Sequence, residues 1–465
     1  MKKSKLSIAL LAAMCATAPV FAAPVLLAIG TLDANRGDLS GATAGALENG
    51  APSNLLGGLG SGLAWAGGST FIATPDRGPN ATNWNAALDD TTSYIPRFQT
   101  LNLGLVKNNS GSGLGWTLTP TLTATTLMFS ETPLAYAAGA APALNADGRY
   151  YFLGRSDNFD PSKSSTNPDN ARLDPEGVRV SKDGKSIFVS DEYGPYVYQI
   201  DRATGQRIRS YALPANLAVK NLSAQGDVEI SGNTVGRVAN KGMEGLAITP
   251  DGKTLVGIMQ APLEQDAAKN VRIVTIDIAT GATHEYAYML TSGSGVSEIV
   301  ALNDHQFLVD ERDGKGLGDG SKAAVKRVFK IDLAGAQDVT ALSGDLSSKA
   351  VSKTLVLDVV ALLGANGIAP KDVPAKIEGL AFGEDVIDNG VLLHTLYVAN
   401  DNDFVRATGG DNKFYVFGIS DEDLRKVGAS YTAQEFGADV PEPSTIALML
   451  AGFGVLATGV RRRRP

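Results

Sequence analysis

Acidic side chains recur at one position of a repeated sequence unit. Four units each open with a glutamate next to a small residue, at Glu176, Glu244, Glu298 and Glu378. Carboxylates from several repeats, brought to one point, supply the oxygen ligands that calcium takes in sets of about six to eight. The residues therefore predict a calcium site if the fold makes these positions converge. The alternative is structural, since Asp and Glu at strand ends also cap turns and bond neighbouring repeats.

A second polar cluster follows within several of the units. The clusters are Asp76-Arg77-Gly78-Pro79, Ser190-Asp191-Glu192-Tyr193-Gly194, Asp310-Glu311-Arg312-Asp313 and Asn400-Asp401-Asn402-Asp403. Ser61 and Asp76 are separated by fifteen positions, as are Glu176 and Asp191, so the clusters occupy equivalent places in their units. Together the two sets predict metal ligands at Glu176, Asp191, Glu244, Glu298, Glu311, Glu378 and Asp401. The guanidinium groups of Arg77 and Arg312 are suited to pair with these carboxylates or to bind an anionic substrate group.

The elements that must position these residues are short strands. Residues 176–185 and 244–253 share Glu, Gly, Asp, Gly and Lys at the same offsets, and alternating apolar runs end at Asp-Gly and Thr-Gly turns. A degenerate unit opens at Ser61, and residues 147–152 resemble part of another. Recurrence of whole units, turns included, predicts an all-β fold, a single β-propeller of six or seven blades, in preference to a β-sandwich.

Both ends of the chain have the character of sorting signals. Lys2, Lys3 and Lys5 precede an apolar stretch and a cleavage-type site before Ala23, which predicts a signal peptide over residues 1–22. Cys15 is the only cysteine, so a mature body without it excludes disulfides and a cysteine nucleophile. The body is predicted to span residues 23–440.

The C-terminal segment, residues 441–465, continues a Pro-Glu-Pro motif into an apolar run and four arginines. Such a run with a basic end predicts an anchor whose arginines stay inside. Because the fifteen apolar residues fall short of the about 20 that a full span needs, we expect transient anchoring. This ending resembles the PEP-CTERM sorting signal, which implies processing by an exosortase and export to the periplasm, cell surface or extracellular space.

The charge and the histidine content exclude some classes of partner and of active site. The net charge is −8, and the two ends hold much of the positive charge, so the body is acidic and a nucleic-acid partner is not expected. The three histidines, His284, His305 and His394, have no zinc-type spacing and no context for a Ser-His-Asp triad.

The body also resembles a family. Asp174-Pro175-Glu176-Gly177, the cluster from Ser190 to Tyr196 and the clusters at residues 76–79, 311–313 and 400–404 look like recurrent segments of the "esterase-like activity of phytase" family. The resemblance implies a propeller that hydrolyses phosphoester or ester bonds with the help of calcium. In that hypothesis Glu192 takes a proton from water as general base, and Arg77 and Arg312 stabilise negative charge on the scissile group.

A second hypothesis remains open. The sorting signal favours a non-catalytic propeller that binds an exopolysaccharide matrix or a protein at the cell surface. An exposed aromatic platform would favour it, and Trp65, Trp84 and Trp116 are the tryptophans available.

Overall fold

Strands make up most of the regular structure. The computed structural model describes residues 23–80, 91–136, 141–156, 167–223, 228–229, 231–238, 240–291 and 293–437. The predicted signal peptide lies outside these residues. In chain order the strands are β1 (Val25–Leu32), β2 (Gly62–Trp65), β3 (Thr70–Thr74), β4 (Arg97–Asn102), β5 (Leu105–Lys107), β6 (Trp116–Leu118), β7 (Thr121–Leu127), β8 (Phe129–Ser130), β9 (Tyr150–Tyr151), β10 (Pro175–Val180), β11 (Ser186–Asp191), β12 (Tyr196–Asp201), β13 (Arg207–Ala212), β14 (Met243–Ile248), β15 (Thr254–Met259), β16 (Asn270–Asp277), β17 (Thr283–Met289), β18 (Gly295–Ala301), β19 (Gln306–Arg312), β20 (Lys326–Asp332), β21 (Lys353–Asp358), β22 (Lys376–Phe382), β23 (Val386–Asp388), β24 (Val391–Asp401) and β25 (Asn412–Ile419).

The helices are short. The helices whose full extent is described are α1 (Val359–Ala365), α2 (Arg406–Gly409) and α3 (Asp421–Lys426), with single 3₁₀ turns at Gly41–Thr43, Ala215–Leu217 and Ser347–Lys349. Across the described part of the chain, none of the helices has the length and apolar character needed to cross a membrane.

The strands form a propeller of five blades. The antiparallel sheets are β2-β3-β4-β7, β10-β11-β12-β13, β14-β15-β16-β17, β18-β19-β20-β21 and β22-β24-β25-β1, which we number blades 1 to 5. The first strand of each blade contacts the first strands of its two neighbours, which makes β2, β10, β14, β18 and β22 an inner ring. Strand β1 pairs with β25, so the two ends of the body close the ring within one blade.

The all-β propeller fold is confirmed, but the predicted count of six or seven blades is wrong. Residues 147–152 supply only β9, which pairs with β8 in a two-stranded ribbon between blades 1 and 2. The N-terminal strand completes blade 5 instead of starting a sheet of its own. The predicted number of blades depends on the number of strand-and-turn units in the sequence. A short inserted ribbon has the same pattern of turn and strand residues as the start of a blade, so it adds to that number.

A β-bulge accompanies the recurring glutamate in four of the inner strands. The pairing register shifts by one residue between Pro175 and Val178 in β10 and between Met243 and Gly245 in β14. Equivalent shifts occur at the start of β18 and β22. A bulge leaves one residue out of the ladder and re-aims its side chain. The repeated glutamate position is therefore a property of the inner ring itself.

The glycine after the glutamate allows adjacent blades to touch. A Cβ on Gly177 would lie 2.5 Å from the backbone nitrogen of Leu246, and a Cβ on Gly245 would lie 2.7 Å from the Cα of Glu298. Backbone atoms cannot move away from such a contact as the end of a flexible side chain can, so any residue other than glycine would clash at these two positions. The Glu-Gly pair thus brings one blade's carboxylate close to the next blade's inner strand.

Candidate functional site

The starts of the inner strands and the ends of the second strands meet at one end of the central channel, which we call the mouth. Antiparallel pairing places Pro175 opposite Asp191 and Lys376 opposite Asp401, so residues from both kinds of strand end share this face. The carboxylates that interact electrostatically there form the mouth cluster, which consists of Asp76, Asp174, Glu176, Glu192, Glu244, Glu378, Asp401 and Asp403.

One group within the cluster lies on blade 2. Oxygen atoms of Asp174, Glu176 and Glu192 lie within 4.8 Å of one another, and all three residues are buried. The Arg77 Nη1 lies 3.0 Å from Asp174 Oδ2, and the Arg77 backbone N–H donates to Asp174 Oδ1 at 2.9 Å. Glu192 Oε1 accepts a hydrogen bond from the Gly242 backbone N–H at 3.0 Å. The group is held in place by contacts from blades 1, 2 and 3.

A second group joins blades 1 and 5. Oxygen atoms of Asp76, Asp401 and Asp403 also lie within 4.8 Å of one another. Lys376 Nζ contacts Asp401 Oδ2 at 2.8 Å and also pairs with Asp403. Burial would raise the pKa of Asp401, but Lys376 brings this pKa below its usual value. The lysine is therefore the counter-ion of this group.

Arg312 links two further glutamates of the cluster. Its Nη2 lies 2.6 Å from Glu378 Oε1 and 3.5 Å from Glu244 Oε1. Its Nε donates to the Ser297 hydroxyl, and Gln260 Nε2 donates to Glu244 Oε1 at 2.7 Å. One guanidinium thus spans carboxylates from blades 3 and 5.

Burial and mutual repulsion oppose full ionisation of the cluster. Desolvation, followed by the charges of Glu244, Asp174, Glu192 and Glu378, raises the pKa of Glu176 well above its usual value. Desolvation likewise raises the pKa of Glu192 to about 7 and that of Glu378 to about 7. Carboxylates that share a site shift in this direction unless a cation compensates them.

The floor of the mouth is an arginine. Arg179 donates to the carbonyls of Leu63 at 2.7 Å, Ile299 at 2.8 Å and Leu380 at 3.2 Å, which belong to three other inner strands. Its Nη2 lies 3.1 Å from Glu298 Oε2. Glu298 also accepts from the Leu246 and Ile299 backbone N–H groups, both at 2.9 Å. The predicted ligand Glu298 is thus the partner of a buried guanidinium, beneath the mouth cluster.

Asp310 is a buried carboxylate without a hydrogen bond. Neither of its side-chain oxygens has a partner, and the residue has no exposed surface. Desolvation raises its pKa to about 8, against the lowering effect of Lys326 and Arg312, and the charges of Glu378 and Glu298 raise it further. An unpartnered buried carboxylate is costly, and this one lies within the electrostatic reach of the mouth.

The structure brings together most of the predicted residues but not all of them. Glu176, Glu244, Glu378, Asp401, Glu192, Arg77 and Arg312 meet at the mouth. Glu311 lies apart from them, because it pairs with Lys353 and accepts from the Tyr288 hydroxyl at 2.6 Å. Asp191 organises a turn, where its Oδ1 accepts from the backbone N–H groups of Asp174 and Tyr193, each at 3.1 Å.

Residues that the sequence reasoning missed include Asp174, Lys376 and Asp310. Asp174 and Lys376 each precede a predicted glutamate by two positions, which is the spacing of side chains on the same side of a strand. That signal was present in the sequence. Asp310 carried no comparable signal, because it stood in a cluster in which Glu311 was the predicted ligand.

The histidines lie outside the mouth. His284 contacts Asp338 at 2.7 Å, His305 contacts Asp332 at 2.8 Å, and His394 bridges Asp385 and Asp421. All three pair with carboxylates outside the mouth cluster.

We expect the metal-free protein to become more stable as the pH falls from about 8 to about 5. Burial raises the pKa of Glu298 and of Glu378 to about 7, against about 4.3 in an unfolded chain. At pH values between these two pKa values the folded state binds more protons than the unfolded state. The free energy of unfolding therefore decreases with rising pH, by up to about 1.4 kcal/mol per pH unit for each group. Urea unfolding in chelator at several pH values measures this. Stability that increases with pH over this range would contradict the burial argument.

The chain is similar to a secreted protein over part of its length and, more distantly, to several solved structures. An uncharacterized secreted protein from Arthroderma benhamiae is 32% identical over 179 residues, a match that covers 30% of this chain and 34% of that protein. This chain therefore spans about a third of that relative's length. Among solved structures, hydrazine synthase from Kuenenia stuttgartiensis is 14% identical with a TM-score of 0.32, over 76% of this chain and 81% of that one. The PQQ-bound aldose sugar dehydrogenase from Streptomyces coelicolor is 10% identical with a TM-score of 0.29, over 75% of each chain. Likeness at this level carries no argument about activity.

Two family models match the chain. The PEP-CTERM protein-sorting motif covers residues 439–464, which implies exosortase processing and identifies an exported protein. The model of a phytase-like family, described as esterase-like activity of phytase, covers residues 54–404, from before the first inner strand to just beyond β24. Its span includes every residue of the mouth cluster, and the chain belongs to this phytase-like family.

Proposed function

We propose that this exported propeller is a calcium-dependent hydrolase of phosphoester or ester bonds, with the mouth cluster as its site. The observation that carries the proposal is the convergence of buried carboxylates whose charge exceeds that of Arg77, Arg312 and Lys376 beside them. Unpaired charge costs several kcal/mol when it is buried. A bound divalent cation would offset that cost, which supports a metal site at the mouth.

The donor set fits calcium. The mouth cluster consists of carboxylates alone, and hard oxygen ligands favour calcium or magnesium over the softer transition metals. Asp174 and Glu176 are the ligands we assign on blade 2, and Asp76 and Asp401 offer further oxygens. The buried side-chain oxygens of Asp310, which have no hydrogen-bond partner, add a further acidic group within electrostatic reach of Glu378. When bound, calcium supplies Lewis-acid polarisation of a substrate oxygen.

Glu192 is our candidate general base. One of its oxygens lies within 4.8 Å of oxygens of Asp174 and Glu176, a separation that admits one bridging water. The Gly242 N–H orients the carboxylate through Oε1. Burial raises the pKa of Glu192 to about 7, and a base with a pKa near the working pH accepts a proton most effectively.

The two arginines are our candidates for holding a negatively charged substrate group. Arg77 is bound to Asp174 through Nη1, but its Nε is buried without a partner. Arg312 is fixed by Glu378 and Ser297. Both guanidinium groups are oriented by carboxylates of the cluster, so each is positioned before a substrate enters, which is what charge stabilisation during hydrolysis requires.

The binding hypothesis has less support from the described residues. Trp65 donates to the Gly68 carbonyl at 2.8 Å and packs on Phe436, while Trp116 donates to Asp388 at 3.0 Å. These contacts keep both indoles away from the mouth. Trp84 lies outside the described residues.

We expect the mature body to cleave at least one class among phosphate monoesters, phosphate diesters, lactones and aryl esters when calcium is present. Chelation should abolish the activity, and Glu192→Gln should lower kcat by roughly 100-fold or more, the contribution of a positioned base. Glu264→Gln is the matched control, because Glu264 is exposed and outside the cluster. The proposal fails if no class is cleaved at saturating calcium, or if cleavage is unaffected by chelator.

A further inference from the structure

The segment from residue 430 to residue 437, which we call the strap, lies across the end of the channel opposite the mouth. Its first residues lie against blade 4. There the Thr432 N–H donates to the Leu302 carbonyl at 2.7 Å, and the Ser430 carbonyl accepts from Asn303 Nδ2 at 3.0 Å. Tyr431 then packs on Phe382 of blade 5, with ring centroids 4.4 Å apart. The strap therefore starts as a tie between two blades.

The same segment continues to the other side of the channel. Gln434 Nε2 donates to the Val180 carbonyl at 2.9 Å, and the Gly437 N–H donates to the Lys182 carbonyl at 3.0 Å, both on blade 2. The ring of Phe436 lies 5.3 Å from that of Trp65 in blade 1. Contacts with four blades fix the last described residue, Gly437, beneath the propeller.

The strap and Arg179 together close this end. A cavity of about 40 Å³ remains between them, lined by Arg179, Val180, Val300, Phe382 and Gln434 among others. Such a volume holds a water molecule but not a substrate. Within the part of the chain that the structure describes, Arg179 bridges the inner strands between this cavity and the mouth.

The sorting motif begins two residues beyond Gly437. The apolar run of residues 446–460 starts nine residues beyond position 437, so the connecting segment reaches at most about 32 Å when fully extended. Gly437 lies against the turn between β10 and β11, so a path to the mouth passes outward over β11, β12 and β13, about 10 Å at 4.8 Å per strand spacing, and then follows the height of the blade, about 20 Å for a six-residue strand. This path takes up nearly the whole extended length and leaves too little for the segment to enter a membrane on the mouth side.

We propose that the strap fixes the exit of the sorting segment, so that the membrane-anchored chain keeps its bottom face at the membrane and its acidic mouth directed away from it. The partner of the bottom face is thus the lipid surface, while the mouth stays open to solutes outside. This orientation follows from the strap contacts and the tether length. It does not depend on whether the mouth is catalytic.

Two lysines of blade 3 provide a matched pair of reporters. Lys241 is exposed just before β14, at the mouth, and Lys253 is exposed in the turn after β14, at the bottom. Full chains carrying Cys15→Ser with either Lys241→Cys or Lys253→Cys would be produced in a Gram-negative strain without exosortase, so that the sorting segment is retained. After labelling in spheroplasts, energy transfer to an acceptor lipid reports the distance of each position from the membrane.

We expect transfer from the position 253 label to exceed that from the position 241 label at least twofold. Equal transfer, or stronger transfer from position 241, overturns the proposal. A third variant, Tyr431→Ala with Gln434→Ala and Phe436→Ala, releases the strap, and the difference between the two positions should then shrink. Circular dichroism and the melting temperature check that this variant is folded. An undiminished difference in the folded variant overturns the role of the strap.

Discussion

The Glu176→Gln protein is expected to bind calcium at least 100-fold more weakly than the wild type. Glu176 lies with Asp174 and Glu192 in the group whose oxygens are within 4.8 Å of one another. Gln keeps the shape of the side chain but removes the negative charge, and charge count is a principal determinant of calcium affinity. Calorimetric titration of the mature body measures the dissociation constants directly.

Glu311→Gln is the matched control for this substitution. Both glutamates are buried and both were predicted as ligands, but Glu311 pairs with Lys353 and Tyr288. We expect its calcium affinity to remain within about threefold of the wild type, whatever happens to its melting temperature. Loss of affinity in Glu311→Gln together with retention in Glu176→Gln would refute the assignment of ligands.

Arg179→Met is expected to destabilise the protein by about 3–5 kcal/mol, the usual cost of removing one partner of a buried ion pair. The guanidinium contacts carbonyls of β2, β18 and β22 as well as Glu298, so its loss removes hydrogen bonds from four inner strands at once, including its own. Denaturant unfolding in chelator measures the change in the free energy of unfolding without a contribution from bound metal.

A second substitution separates charge from packing. Arg179→Met combined with Glu298→Gln removes the uncompensated carboxylate, so we expect the double variant to recover a substantial part of the lost stability. Lys185→Met, at an exposed position on the same blade, should change stability by less than about 0.5 kcal/mol. If the loss of stability in the double variant equals the sum of the losses in the two single variants, Arg179 and Glu298 are not energetically coupled. The stabilising role of Arg179 would then not depend on this ion pair.

The convergence of the glutamates was predictable because it depends on a local backbone arrangement that recurs along the sequence. Glu176-Gly177 and Glu244-Gly245 occupy bulges at the start of inner strands, and the glycines permit the close contact between blades. Such an arrangement leaves a glutamate at the same position in four of the five blades. The number of blades depends instead on which strands pair over long distances, as β1 does with β25, and the sequence units do not encode that pairing.

The assignment of individual ligands was less predictable. Asp310, Glu311 and Arg312 are consecutive in β19, and consecutive side chains of a strand point to opposite faces. Asp310 and Arg312 therefore share the side near Glu378, while Glu311 faces Lys353 and Tyr288. A cluster read from the sequence alone does not indicate which face is directed at the channel, because the bulge shifts the register by one residue.

The central claim, a cation held by the mouth carboxylates, is tested most directly by anomalous X-ray diffraction from crystals of the body grown with calcium. We predict an anomalous peak at the mouth, beside carboxylate oxygens of Asp174 and Glu176, that disappears in Glu176→Gln crystals. A map at saturating calcium with no peak at the mouth, in which these carboxylates are paired only with Arg77 and neighbouring donors, would contradict the claim.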